Sequence, residues 1–242
     1  MNPSESSGPV DSSDDDPRLR YYADLVDFGG LQPAISSIAR DRHIDLGVAT
    51  EIPEAQNWST ARFTSPRGDM RVQLGHGVRR FALTLDSGRG YVWASGSTTD
   101  LPQVVEVMSV WRGGVKLREL GGRFPFMEFD RMSQAHEDGN PVETQWEIIT
   151  GDDDFLRYRE LLLALHADPD LRQTFPFFSH WTLRLAKDHN DADADQILLR
   201  RRQDDDVYTL WSSSDPEQRR EFRSLDELVR AAAALLAHFR VR

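Results

Sequence analysis

Residues 60–95 read TARFTSPRGDMRVQLGHGVRRFALTLDSGRGYVWAS, and this stretch decides the fold class. Short apolar runs at Thr60–Thr64, Met70–Leu74, Arg80–Leu85 and Tyr91–Ser95 are split by turn residues at hairpin spacing. The breaks are Ser65-Pro66-Arg67-Gly68, Gly75-His76-Gly77 and Asp86-Ser87-Gly88-Arg89-Gly90. Phe81, Leu83 and Leu85 alternate with Ala82 and Thr84, which turns one face of a strand into a core. The spacing predicts an antiparallel meander.

On either side of it the period changes to that of helices. Upstream, Leu31, Ile35, Ile38 and Ala39 repeat at helical spacing, with Pro33 in the first turn. Downstream, Leu101, Val104, Val105, Met108 and Trp111 form a stripe that opens at Asp100 as N-cap and ends at Gly113-Gly114. Further helices are predicted over Arg131–Asp138, from Asn140 (as cap, with Pro141 first and Glu143 closing a capping box), and over Asp154–Ala167. Trp181–Ala186, Gln196–Arg200, Val207–Trp211 and Arg219–Phe222 read as strands. Ser224-Leu225-Asp226-Glu227 is a capping box that starts a last helix, with Leu225, Leu228, Val229, Ala232, Leu235, Leu236 and Phe239 on one face. The expected class is α+β, with antiparallel sheets flanked by helices. Helix, three or four strands, then capped helix occurs in both halves; a duplication and the accidental likeness of α+β proteins both account for it. The expected organisation is an acidic disordered tail over 1–19, an N-terminal half over 20–114 and a C-terminal half over 115–242.

Composition excludes several functions. The 242 residues hold 40 acidic side chains against 29 Lys and Arg, a net charge of -11, which speaks against a protein that tracks nucleic-acid phosphates. Cysteine is absent, so thiolate metal sites, disulfides and cysteine nucleophiles are excluded. No apolar run approaches the roughly 20 residues that cross a bilayer, and acids stand where a signal peptide needs bases, so a cytoplasmic location is expected. Nucleotide-loop, nucleophile-elbow and zincin motifs are missing. The Asp188–Asp195 run lacks the central Gly and final Glu of a calcium loop, so no metal or cofactor is expected.

Two segments carry the polar groups best suited to chemistry. His136 and Glu137 precede the Asn140 helix start, and Ser179-His180 follows Phe175-Pro176-Phe177-Phe178. His136 and His180 are candidate general acid and base, with Glu137 tuning them and Ser179 a hydrogen-bond donor. Ordinary capping and backbone bonding explain the same residues. Arg200 and Arg202, in Arg200-Arg201-Arg202 beside Asp204-Asp205-Asp206, are candidates for contact with an anion or acidic peptide, or simply a strand edge. Trp58 lies in a polar loop and is a candidate ligand or peptide contact.

Asp24-Leu25 to Gly30-Leu31, Leu117-Arg118-Glu119-Leu120, Ala135-His136-Glu137 to Val142-Glu143-Thr144-Gln145-Trp146, and Leu171-Arg172 to Ser179-His180 together resemble an actinobacterial family labelled natural product biosynthesis protein. The likeness covers about residues 20–186, and Trp181 stands where it implies a small residue. That family has no assigned activity, so it lends no site residue. It implies a place in a secondary-metabolite or modified-peptide gene cluster. The expected role is an accessory or binding component of natural-product biosynthesis that recognises a precursor peptide or a neighbouring biosynthetic enzyme. An enzyme moving protons on a peptide intermediate and an immunity-like interaction module are the alternatives. Because residues 1–17 contain almost no apolar surface, their deletion is expected to leave the melting temperature unchanged. A fall of many degrees would show that the tail docks.

Overall fold

A computed structural model describes residues 17–53, 56, 58–191, 193–202 and 207–239. The acidic stretch 1–16 and Asp204–Asp206 therefore lie outside the described residues, and the first helix begins at Pro17. The chain divides into two units, Met1–Asp130 and Arg131–Arg242.

In the first unit, α1 (Pro17–Val26) and α2 (Leu31–Asp41) precede strands β1 (Thr60–Ser65), β2 (Gly68–Leu74), β3 (Phe81–Asp86) and β4 (Val92–Thr98). Then come α3 (Leu101–Arg112), α4 (Leu117–Arg123) and β5 (Met127–Glu128). The sheet runs β1-β2-β3-β4-β5, antiparallel throughout. Its register aligns the buried Phe63, Met70, Leu85 and Ala94 in one row, and the buried Ala61, Val72 and Leu83 with the half-buried Gly96 in the next. The α3 stripe of Val104, Val105, Met108 and Trp111 belongs to the same core.

Gly96 is required where it stands. A Cβ there would lie 2.2 Å from the Phe126 carbonyl oxygen, so a side chain would push β5 off the sheet. Leu117, Leu120, Phe124 and Met127 complete this first core, which carries the unit well past the Gly113-Gly114 helix end. Tyr22 ties α1 down. Its hydroxyl lies 2.9 Å from the carbonyl oxygens of Gly75 and Val78 and accepts from the Arg80 amide at 3.1 Å. Alongside, Arg79 forks onto both carboxylate oxygens of Asp24 at 2.7 and 2.9 Å. That fork holds the Asp24 carboxyl below its ordinary pKa.

The second unit holds α5 (Arg131–Asp138), α6 (Pro141–Gly151), a 3-10 turn over Asp153–Tyr158 and α7 (Arg159–Ala167). A second sheet follows: β6 (Phe175–Ser179), β7 (Thr182–Ala186), β8 (Gln196–Arg201), β9 (Tyr208–Ser212) and β10 (Arg220–Phe222). It is closed by α8 (Leu225–Phe239), and its strands again follow chain order, all antiparallel. Both units thus contain a helix, an antiparallel meander and a further helix in succession.

Two expected caps do not form. Neither Asp100 nor Asn140 makes a side-chain capping bond; the amide of Asp100 instead donates to the Thr98 hydroxyl at 3.2 Å. At α8 the cap does form, with the Glu227 amide donating to Ser224 Oγ at 3.4 Å. No helix among the described residues is long and apolar enough to cross a membrane.

The α8 stripe is unequal in depth. Leu228 is fully buried in the second core, whereas Leu235 sits at its margin. Leu228→Ala is expected to cost about 2–4 kcal/mol and Leu235→Ala distinctly less, read from denaturant midpoints at constant m-value. Equal small losses would remove α8 from the core.

Candidate functional site

The second sheet sorts its side chains by period two. Leu183 with Leu199, Leu199 with Leu210 and Leu185 with Ile197 are cross-strand pairs on the buried face. The intervening residues face the other way: Arg184 pairs with Leu198, Leu198 with Trp211, and Arg200 with Thr209. Arg200 and Trp211 are thereby fixed on the face away from the helices.

The β6–β7 hairpin closes through two residues, His180 and Trp181, both left-handed with φ of 49° and 59°. Two-residue hairpin turns with both centres left-handed select Asn and Gly, because a side chain there costs about 1 kcal/mol or more. Here the second position is tryptophan, 53% exposed. Its partners explain how it is held. The Tyr158 hydroxyl donates to the Trp181 carbonyl at 3.2 Å, and the Arg157 guanidinium lies 4.3 Å from the indole centroid.

Around these groups lies a cleft of about 480 Å³, lined by Arg157, Arg200, Arg201, Arg202 and Arg219 with Trp181, Trp211, Tyr158 and Thr209. Arg201 donates to the Arg157 carbonyl. Arg202 pairs with Glu221 at 2.6 Å. Arg219 is stacked over Trp211 at 5.1 Å and donates to the Pro216 carbonyl at 3.1 Å. Among the described residues, Arg157, Arg200 and Arg219 have no carboxylate partner. Five guanidinium groups thus line one recess of a chain whose net charge is -11. Arginine is fully charged at any physiological pH and presents a planar fork of donors suited to carboxylate or phosphate.

The other expected residues fall as follows. Ser179 pairs with Thr182 at the end of the β6–β7 hairpin. Ser179 Oγ is 3.2 Å from His180 Nδ1. Arg202 lines the cleft beside Arg200. Trp58 is not an exposed contact: it packs on the first core, edge-on to Tyr22 at 6.3 Å, and its carbonyl accepts from the Leu31 amide. Residue 30 is glycine with φ of 127°, which admits the Trp58 backbone. His136 and His180 are not brought together. The ring of His136 lies 5.3 Å from that of His189, which stacks on Phe175 at 4.6 Å. His180 follows the opposite end of β6, five residues beyond Phe175 and about 16 Å along the strand direction at roughly 3.3 Å per residue. Glu137 remains with His136 on α5. Among the described residues, no three His, Asp or Glu converge as metal ligands.

Arg157, Trp181, Trp211 and Arg219 are site residues that spacing along the chain does not reveal. Only the strand register and the tight hairpin gather them.

Residues 140–238 match a family of unknown function, DUF6193. The matched stretch contains every residue of the arginine cleft; His136 lies just before it. No characterised protein and no solved structure matches the chain.

Burial holds the His189 imidazole below its ordinary pKa of 6.5, with Asp188 pulling the other way. The folded protein therefore resists protonating a group that the unfolded chain protonates readily. Its contribution is intact above about pH 6.5 and declines as pH falls through the histidine range. His189→Phe, which keeps a ring against Phe175, is expected to flatten the fall in melting temperature between pH 7.5 and 5.5. An unchanged slope would contradict that assignment.

Proposed function

We propose that this protein is a binding component whose second unit recognises an acidic peptide segment in the arginine cleft. The setting is natural-product biosynthesis, as the family likeness over residues 20–186 implies, and the segment belongs to a precursor peptide or a neighbouring biosynthetic enzyme. One observation carries the reading: Arg157, Arg200 and Arg219 converge on a recess without a carboxylate partner among the described residues. Guanidinium groups that lack a carboxylate partner at the mouth of a cleft are groups that a carboxylate-bearing ligand neutralises by charge-assisted, bidentate hydrogen bonds. The tryptophans add apolar area that needs little ordering on binding. A catalytic reading has less support, because its two histidines stand at opposite ends of β6.

Fluorescence anisotropy of a labelled glutamate-rich peptide tests this. Binding is expected at low salt and should weaken steadily as salt is raised. Arg200→Ala should weaken it about tenfold, equivalent to one charge-assisted hydrogen bond of roughly 1.5 kcal/mol. The melting temperature should not move, because Arg200 is exposed and supports no neighbour. Equal affinity of the variant and the parent for the peptide would remove the cleft from recognition.

A further inference from the structure

The two edges of the second sheet are not alike. At β6, Pro176 has no amide to offer, and its carbonyl accepts from Gln145 Nε2 of α6 at 2.9 Å. The Thr174 carbonyl just before the strand accepts from Trp146 Nε1 of the same helix at 3.0 Å. That edge is blunted. At the other edge β10 pairs with β9, and among the described residues no further backbone bond joins Arg220, Glu221 or Phe222 to another element. On an edge strand every second residue turns its N–H and C=O outward, a template on which an extended chain adds itself. The run around β10 reads Arg219-Arg220-Glu221-Phe222-Arg223, three arginines against one glutamate, all four charged residues exposed. Glu221 is paired with Arg202 at 2.6 Å. A second copy would bring the same arginines against this edge, whereas an acidic chain neutralises them. The edge is also continuous with the arginine cleft: Arg219 lines that cleft, and so does Thr209, the cross-strand partner of Glu221.

We propose that the acidic peptide recognised by the arginine cleft binds as an added strand along β10, extending the five-stranded second sheet. Main-chain hydrogen bonds then supply affinity, and alternate side chains supply selectivity. The register assigns them. Leu210 opposite Arg220 and Tyr208 opposite Phe222 belong to the buried face, while Thr209 opposite Glu221 belongs to the cleft face. A peptide residue opposite Arg219 therefore points to the cleft side, and its neighbour opposite Arg220 points to the other side. Adjacent acidic residues satisfy both arginines. The position opposite Phe222, which is half-buried against the second core, suits an apolar residue. The ligand is thus an extended chain with paired acids, rather than any anion of sufficient charge. This inference rests on the cleft reading above.

The test uses the whole protein and three labelled glutamate-rich peptides of identical sequence. One is unmodified, one carries backbone N-methyl groups on alternate residues, and one carries the same number on consecutive residues. Alternate methylation leaves one edge of an extended peptide free to hydrogen-bond; consecutive methylation blocks both edges at unchanged charge. The alternate peptide is expected to bind like the unmodified one, and the consecutive peptide about tenfold more weakly, as loss of two backbone hydrogen bonds allows. Arg220→Glu, at an exposed position outside the cleft, should weaken the unmodified peptide by a similar factor without moving the melting temperature. Equal binding of all three peptides, or full affinity of a folded Arg220→Glu protein, overturns strand addition and leaves the cleft standing. Failure of every peptide to bind at low salt overturns the cleft, and this inference with it. A concentration-dependent dimer that competes with the peptide would assign the β10 edge to a second copy and overturn the proposal.

Discussion

The register of β8 against β9 is the constraint on which the second unit depends. Leu199 opposite Leu210 puts one face of the sheet in the core and sends Arg200 and Trp211 to the other. A slip of β8 by one residue would turn Arg200 towards the core and Ile197 and Leu199 away from it. Burial of an unpaired guanidinium costs far more than one mismatched strand pair gains, so the hydrophobic pattern fixes the position of the charged groups. The cleft is a consequence of packing on the opposite face.

The hairpin before it works against local preference. His180 and Trp181 occupy a conformation that glycine and asparagine adopt without strain, and Trp181 is a bulky residue there. The Tyr158 hydroxyl and the stacked Arg157 hold the turn from outside. Since Tyr158 is buried in the second core, the exposed indole is anchored to that core. A small residue would relieve the strain at position 181 and remove one wall of the cleft. That exchange is consistent with binding rather than stability being served at this position.

Much of the architecture was legible in the chain because period and punctuation agreed. The meander of residues 60–95 and the helices at 101–112, 131–138 and 225–239 emerge almost where alternation, Gly pairs and the Ser224 box place them. β6 was not legible as a strand, since Pro176 interrupts its run; the structure accommodates that proline because β6 lies at the sheet edge. Asn140 and Asp100 have the side chains of caps but spend no bond on capping, a choice that depends on neighbours no local pattern contains. Trp58 looked exposed because its partners, Tyr22 and Gly30, are far upstream. Of the site, Arg200 and Arg202 could be read from the arginine run. Arg157 and Arg219 could not, because only tertiary folding brings residue 157 to residue 219.

The central claim is that acidic ligands enter the cleft between Trp181 and Trp211. Six tryptophan indole N–H groups report on it separately in an amide NMR spectrum of the labelled protein titrated with a glutamate-rich peptide. The account predicts that the Trp181 and Trp211 indole signals shift with the peptide, while those of Trp111 and Trp146, sealed in the two cores, stay in place. Shifts confined to Trp58, Trp93 or Trp111 of the first unit, or no shift at saturating peptide, would contradict it.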